Sequence, residues 1–249
     1  MISYTPKTLQ EIPACLGRMT EKDKIIGGGT DLIIRLNMGL SKPDALCYLG
    51  YVDELKRITV EEDRMVIGAY ATMTGIENHP AVKEYFPALM DAASDVGSLQ
   101  IRNNGTIGGN IGNASPAGDL LPVLYLYNAQ VEIMGAEGNR VEPIEQIIAG
   151  PGSSFVKLGF RRKVTISRIG IALGVQMDGD YVKDVRLVIG AISLKPVRLT
   201  AAEEFLRGKP LNESNIMEAA RILSDLIMEI TPREFDRDYK VFASRGIVM

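Results

Sequence analysis

The sequence predicts an α+β fold in two unlike halves, and three observations carry that reading. Residues 1–150 alternate short apolar strands with short helices. After Gly150-Pro151-Gly152 the pattern becomes an antiparallel meander followed by helices. Within the first half, residues 105–119 (Gly-Thr-Ile-Gly-Gly-Asn-Ile-Gly-Asn-Ala-Ser-Pro-Ala-Gly-Asp) are rich in glycine and small polar side chains, with no charge before Asp119. Glycine costs about 1 kcal/mol per helical position and gives a strand nothing to pack. This segment is therefore expected to form neither. It offers backbone N–H groups and close approach, which suit an anionic ligand such as a pyrophosphate.

Residues 7–19 read as a helix, with Leu9, Ile12, Leu16 and Met19 at helical spacing. Lys24 to Gly27 is a short strand, and Asp31 to Met38 a helix starting just beyond a glycine cluster. Ala45 to Leu49 is a further strand. Arg57 to Val60 and Arg64 to Ile67 flank Glu61-Glu62-Asp63 as a hairpin. Residues 72–95 are helical, interrupted near Pro80 and Pro87. Asp119 to Tyr127 is a short apolar helix whose first turn accepts Pro122. Ala129 to Met134 and Arg140 to Ile144 form a second hairpin around Glu137-Gly138-Asn139.

In the second half Phe155 to Arg161 is a strand. Ile169, Ile171, Leu173, Val175 and Met177 alternate, and so do Val185, Leu187, Ile189 and Ala191 across an Asp178-Gly179-Asp180 turn. This predicts a three-stranded antiparallel sheet with one buried face. Helices come next at Thr200 to Leu206, Asn212 to Ile230 and Glu234 to Arg245, the second with a core stripe from Ile216 to Ile227. The domain boundary is expected near 149–153, giving domains 1–150 and 151–249.

The chain of 249 residues is 46% hydrophobic, enough for a substantial core. A net charge of −3 and a pI near 5.4 give no general attraction to nucleic acid or anionic membranes. No apolar run approaches the roughly 20 residues of a membrane span, and the N-terminus lacks a signal-peptide pattern. A cytoplasmic location is expected. The two cysteines, Cys15 and Cys47, and the one histidine, His79, form no metal-ligand pattern. His79, in Glu-Asn-His-Pro, reads as an exposed turn or a helix end. Redox chemistry here requires an organic cofactor.

Gly27-Gly28-Gly29-Thr30-Asp31-Leu32 places a strand before a glycine turn and a helix after it, a geometry that stabilises anions. Thr30 or Asp31 can cap that helix. It matches neither the dinucleotide fingerprint nor the P-loop, so it is either a tight structural turn or a phosphate loop. Residues 105–119 add a second loop: Gly108 and Gly109 present N–H groups, Thr106, Asn110, Asn113 and Ser115 supply neutral donors and acceptors, and Asp119 can accept from sugar or ribityl hydroxyls.

Taken in order, Gly27 to Leu32, Ile101-Arg102-Asn103, Thr106-Ile107-Gly108-Gly109-Asn110 and Ala114-Ser115-Pro116-Ala117-Gly118-Asp119 strongly resemble the FAD-binding medium subunit of the molybdenum hydroxylases, which include xanthine, carbon monoxide and nicotinate dehydrogenases. Phe155 to Arg162, Ile166-Ser167-Arg168 and Gly190-Ala191 resemble that family's C-terminal flavoprotein domain. The resemblance implies an FAD-binding domain of the vanillyl-alcohol-oxidase type, its two α/β subdomains split near 55–60. It implies that Ile25, Ile26 and Gly27 to Leu32, with Thr106 to Asn110, hold the pyrophosphate, and that Ser115 and Asp119 contact the cofactor. Lys157 matches a family lysine near the flavin; as a bare residue it is equally an exposed edge lysine. Arg102 reads as a loop anchor. The connection at 149–154 is shorter than the family's.

The resemblance further implies an electron-transfer flavoprotein subunit with no catalytic acid–base pair of its own. Its implied partners are a molybdenum-cofactor large subunit and a small iron–sulfur (2Fe-2S) subunit, with an external acceptor such as NAD. The alternatives are a free-standing flavin oxidoreductase of the same fold and an assembly subunit that has lost FAD.

Overall fold

The computed structural model describes residues 1–144, 153–158, 168–231 and 234–248, with 153–158, 234–236 and 245–248 as backbone. The first half opens on β1 (Ile2–Tyr4), α1 (Ile12–Leu16), β2 (Lys24–Ile26), α2 (Leu32–Asn37) and β3 (Ala45–Tyr48). The three strands are parallel, with β3 in the centre. The expected helix over 7–19 is shorter than its apolar spacing suggested. Leu9–Glu11 form a 3-10 turn, and α1 starts with Pro13 in its first turn and stops before Gly17.

β4 (Ile58–Val60) and β5 (Met65–Ile67) form the expected hairpin. The helical stretch divides where the prolines stand: α3 (Met73–Asn78), α4 (Pro80–Tyr85) and α5 (Pro87–Asp95). Pro80 and Pro87 occupy first turns, where a missing N–H costs nothing. α6 (Leu99–Asn104) is capped by the Ser98 hydroxyl, which accepts from the Ile101 N–H. α7 (Ile107–Asn113) and α8 (Leu120–Leu126) come after it, then the hairpin β6 (Gln130–Gly135) and β7 (Gly138–Pro143).

The second half holds β8 (Ser153–Leu158), β9 (Ile169–Asp178), β10 (Tyr181–Gly190), β11 (Val197–Arg198), α9 (Thr200–Leu206), α10 (Glu213–Ile230) and α11 (Glu234–Val248). The expected three-stranded sheet is four-stranded, β11-β10-β9-β8, because Val197 and Arg198 add a short edge against Ile189 and Val188. Nor is only one face buried. Ile169, Ile171, Val185, Leu187 and Ile189 pack with Leu223 and Ile227 of α10. The opposite face carries Ala172 and Val188, which join the core of α5 and α8.

That second face was hard to see because it is built from very small residues. A Cβ on Gly190 would stand 2.5 Å from Pro122 Cγ, and one on Gly174 would stand 3.3 Å from Leu126 Cδ1. Glycine lets α8 lie directly on β10. Arg186, on β10, adds a polar tie: its guanidinium donates to the Leu126 carbonyl and to the Asn128 side chain at the end of α8.

Cys47 is fully buried on central strand β3, while Cys15 on α1 is partly exposed. Burial, with a smaller contribution from Cys15, pushes the Cys47 thiol up to about 11. At pH 8 only about 0.1% of Cys47 is thiolate, the reactive form. Native protein treated with a thiol-specific disulfide reagent at pH 8 is therefore expected to titrate Cys15 quickly and Cys47 only on unfolding. Two equally fast thiols would contradict this burial.

Candidate functional site

The fold brings the two glycine segments into direct backbone contact. The Gly27–Thr30 turn leaves the carboxyl end of β2, and Asn104–Gly109 joins α6 to α7. A Cβ on Gly28 would overlap the Asn104 carbonyl oxygen, and one on Gly27 would come within 2.8 Å of the Thr106 hydroxyl. Only glycine fits between these chains. Gly29 turns the backbone with φ at +72°, and α2 then starts. The N–H groups of Gly28, Gly29, Thr30 and Asp31 have no acceptor among the described residues. They stand beside α2, whose amino end is also electropositive.

The second loop is not the irregular segment expected. Residues 107–113 form α7, despite three glycines among seven residues. Its first turn is held from outside. Thr106 caps it, accepting from Gly109 N at 3.1 Å. Ile107 N donates to the Ala71 carbonyl at 3.0 Å, and Gly108 N to the Ala69 carbonyl at 2.9 Å. Asn110 N donates to the Thr106 carbonyl. Together these bonds offset about 1 kcal/mol of helix penalty per glycine. These N–H groups are therefore used internally and do not face a ligand. A Cβ on Gly108 would lie 2.6 Å from the Ala69 carbonyl oxygen, so its glycine serves packing. Ala114, at φ +45°, ends the helix.

α7 offers Asn110 instead. Its Oδ1 is buried without a hydrogen-bond partner among the described residues and lies against Gly118. Leaving such an acceptor unpaired costs about 1–3 kcal/mol. Ser115 accepts from the Ala117 N–H at 3.3 Å, and Gly118 N closes a turn on the Ser115 carbonyl at 2.8 Å. Asp119 is buried at the start of α8, but its side chain makes no cap bond to that helix. Asp31 stands at the amino end of α2 without a side-chain cap bond, so it does not have the capping role expected of it.

Tyr70 was missed by sequence reading. Its hydroxyl donates to the Gly27 carbonyl at 3.1 Å, holding the glycine turn from beneath. Burial and the Tyr48 hydroxyl push its pKa far above the ordinary phenol value, so it remains a donor at any pH where the protein works. Tyr48 packs edge-on against both Tyr70 and Tyr51. An isolated tyrosine carries no spacing signal, which is why it went unseen.

The remaining sequence candidates have other surroundings. Ile25 is half exposed; Ile26 and Leu32 are partly buried, and Ile107 belongs to the core. Arg102 pairs with Glu77 at 3.2 Å and donates to the Gly97 carbonyl, as an anchor does. Lys157 lies on β8 opposite Gly170, and its side chain is outside the described residues. Most of the short 149–154 connection is also outside them. His79 stands at a helix end, the second of the two readings, between α3 and α4; it is half buried rather than exposed, with Nδ1 enclosed and unpartnered among the described residues. The described residues hold no cluster of three His, Cys, Asp or Glu suited to a metal ion, and no helix among them is long and apolar enough to cross a membrane.

Known proteins share this arrangement. The family model described as the FAD binding domain in molybdopterin dehydrogenase matches residues 1–166, and that of the CO dehydrogenase flavoprotein C-terminal domain matches 154–243. The chain belongs to the FAD-binding medium subunits of the molybdenum hydroxylases. It is 33% identical to the nicotinate dehydrogenase FAD-subunit of Eubacterium barkeri, covering 98% of this chain and 92% of that protein. It is 29% identical to a putative xanthine dehydrogenase FAD-binding subunit of Escherichia coli K12, covering 88% and 82%. In fold it matches a chain of quinoline 2-oxidoreductase from Pseudomonas putida 86, with a TM-score of 0.92 at 23% identity over 100% of this chain and 94% of that one. A carbon monoxide dehydrogenase chain from Hydrogenophaga pseudoflava gives 0.90 at 24% identity, covering 100% and 94%.

The residues present fit FAD. The N–H groups of Gly28 to Asp31, without an acceptor among the described residues, could donate to a pyrophosphate, and Asn110 Oδ1 could accept from the cofactor. Two substitutions separate packing from mere glycine content. Gly28→Ala is expected to destabilise the chain by about 1–3 kcal/mol and to abolish FAD retention, because the two loops must part. Gly112→Ala, on α7 where a Cβ meets nothing within 4 Å, is expected to raise stability by about 0.5–1 kcal/mol and leave FAD bound. Thermal melts with flavin absorbance report both; loss of FAD in Gly112→Ala would contradict the assignment.

Proposed function

We propose that this FAD-dependent oxidoreductase subunit relays electrons from iron–sulfur clusters on a small partner subunit, through FAD, to an external acceptor such as NAD. Substrate oxidation then takes place at the molybdenum cofactor of a separate large subunit. The observation that carries this is the pairing of the Gly27–Asp31 turn with Asn104–Asn110, in a chain whose described residues hold no metal cluster. On this reading the chain divides into an FAD-binding domain of the vanillyl-alcohol-oxidase type over 1–150, with subdomains meeting near 55–60, and a C-terminal flavoprotein domain over 151–249.

The bound flavin supplies the redox chemistry: it accepts electrons singly or in pairs and passes them on. The chain supplies placement. Gly28 to Asp31 donate N–H groups to the phosphates, with Thr30 beside them, and Tyr70 fixes the turn that presents them. Ile25, Ile26 and Leu32 line the approach. Thr106 to Asn110 close the other side, Thr106 to Gly109 by backbone packing and Asn110 by accepting a hydrogen bond from the cofactor. Ser115 and Asp119 would accept from its sugar or ribityl hydroxyls, and Lys157, by its match to the family lysine, would supply a cation near the ring. No side chain here needs to act as acid or base, because flavin electron transfer depends on position and electrostatics.

Purified chain is expected to carry a visible flavin spectrum, or to gain one on adding FAD, and to co-purify with a molybdenum subunit and an iron–sulfur subunit. A colourless protein that takes up no FAD would sink the proposal. Asn110→Ala is expected to weaken FAD binding by about 1–3 kcal/mol, the value of one buried hydrogen bond. An unchanged dissociation constant in flavin-fluorescence titration would remove Asn110 from the site. If the isolated chain oxidised NADH at the full rate of the complex with no partner present, the relay role would fall.

A further inference from the structure

The last helix reaches the cofactor loop through one buried lysine. Lys240, on α11, is 7% exposed, and its Nζ donates to the Ala191 carbonyl at 2.7 Å. Ala191 follows β10 with φ at +63°, a left-handed conformation that costs a non-glycine residue roughly 1–2 kcal/mol. Its two peptide groups are held at both ends. The carbonyl accepts from Lys240, and the N–H donates to the Pro116 carbonyl at 3.0 Å. Pro116 sits inside the Ser115–Gly118 turn, which leads directly to Asp119. A crease beneath that turn is lined by Pro116, Gly118, Asp119, Gly170, Gly190 and Ala191.

We propose that Lys240 is a positioning residue for the cofactor: through Ala191 and Pro116 it fixes the Ser115–Asp119 turn against the sheet. The inference rests on the assignment of Ser115 and Asp119 to FAD. Stability alone gives no reason for an ammonium here. Burying a charge is costly, and an apolar side chain of similar volume often packs as well or better. A methionine cannot bind the Ala191 carbonyl, and so cannot help hold this left-handed residue, whose N–H meets Pro116. The lysine reaches the turn from a helix more than a hundred residues away in sequence, so the second half of the chain takes part in shaping the site of the first.

The test compares the full-length wild type with Lys240→Met and Lys240→Arg. For each, FAD affinity is measured by fluorescence titration, the visible circular dichroism of bound flavin is recorded, and melting is followed in the far ultraviolet. Lys240→Met is expected to fold, to bind FAD about tenfold or more weakly, and to show altered flavin dichroism, which reports ring and turn geometry. Lys240→Arg, which keeps a cationic donor, is expected to restore both to near wild type. Should Lys240→Met fail to fold, Lys240→Leu, which also lacks a donor, takes its place with the same expectation of weakened binding. Wild-type affinity and dichroism in the folded neutral variant would overturn the proposal, as would an arginine variant no better than methionine. A wild-type chain that binds no FAD overturns the functional reading as well; wild-type binding with an indifferent Lys240 overturns this inference alone.

Discussion

The contact on which the structure turns is the backbone-to-backbone approach of Gly27-Gly28 to Asn104–Gly109. Two segments more than seventy residues apart meet with no side chain between them. That closeness sets the Gly27–Thr30 turn against the start of α7, and the Gly28–Asp31 N–H groups have no acceptor among the described residues. It also explains why α7 exists. Gly108 donates to Ala69 and Ile107 to Ala71, so the stretch ahead of α3 stands in for the stability that the glycines withhold. Tyr70, in the middle of that stretch, grips Gly27 and ties the three segments together.

A second close approach has the same chemistry. Gly174 and Gly190 let α8 lie on the antiparallel sheet, and Arg186 fastens the end of that helix. The sheet is thereby buried on both faces, by large aliphatics toward α10 and by small residues toward α8. Because α8 starts at the Ser115–Asp119 turn, whatever fixes the helix on the sheet also fixes that turn. The two halves of the chain therefore share one working structure.

Much of this was legible from residues with strong local signals. The alternation at 169–177 and 185–191 gave the central strands, Pro80 and Pro87 the starts of two helices, and the glycine clusters at 27–29 and 105–109 the two segments that meet. The errors have a common cause. Glycine at 107–113 argued against a helix because propensity counts only what the segment does alone, whereas Thr106, Ala69 and Ala71 supply partners from outside it. The small face of the sheet gave no hydrophobic pattern, because its packing depends on absent side chains. Asp31 looked like a cap by position, yet cap bonds are set by rotamer and backbone angle, which sequence does not encode locally. Tyr70 and Lys240 were silent because each acts on a carbonyl far away along the chain.

Sequence by itself determined most of the strands and helices outside residues 99–113, the paired glycine motifs and the family to which they point. These rest on short-range periodicity and on residue types with few physical uses. Tertiary structure alone decided which N–H groups are free, which glycines serve packing, and which distant side chains hold the turns. Those outcomes depend on which carbonyl lies within about 3 Å of which donor, a distance set by the closing of the whole fold rather than by any one segment.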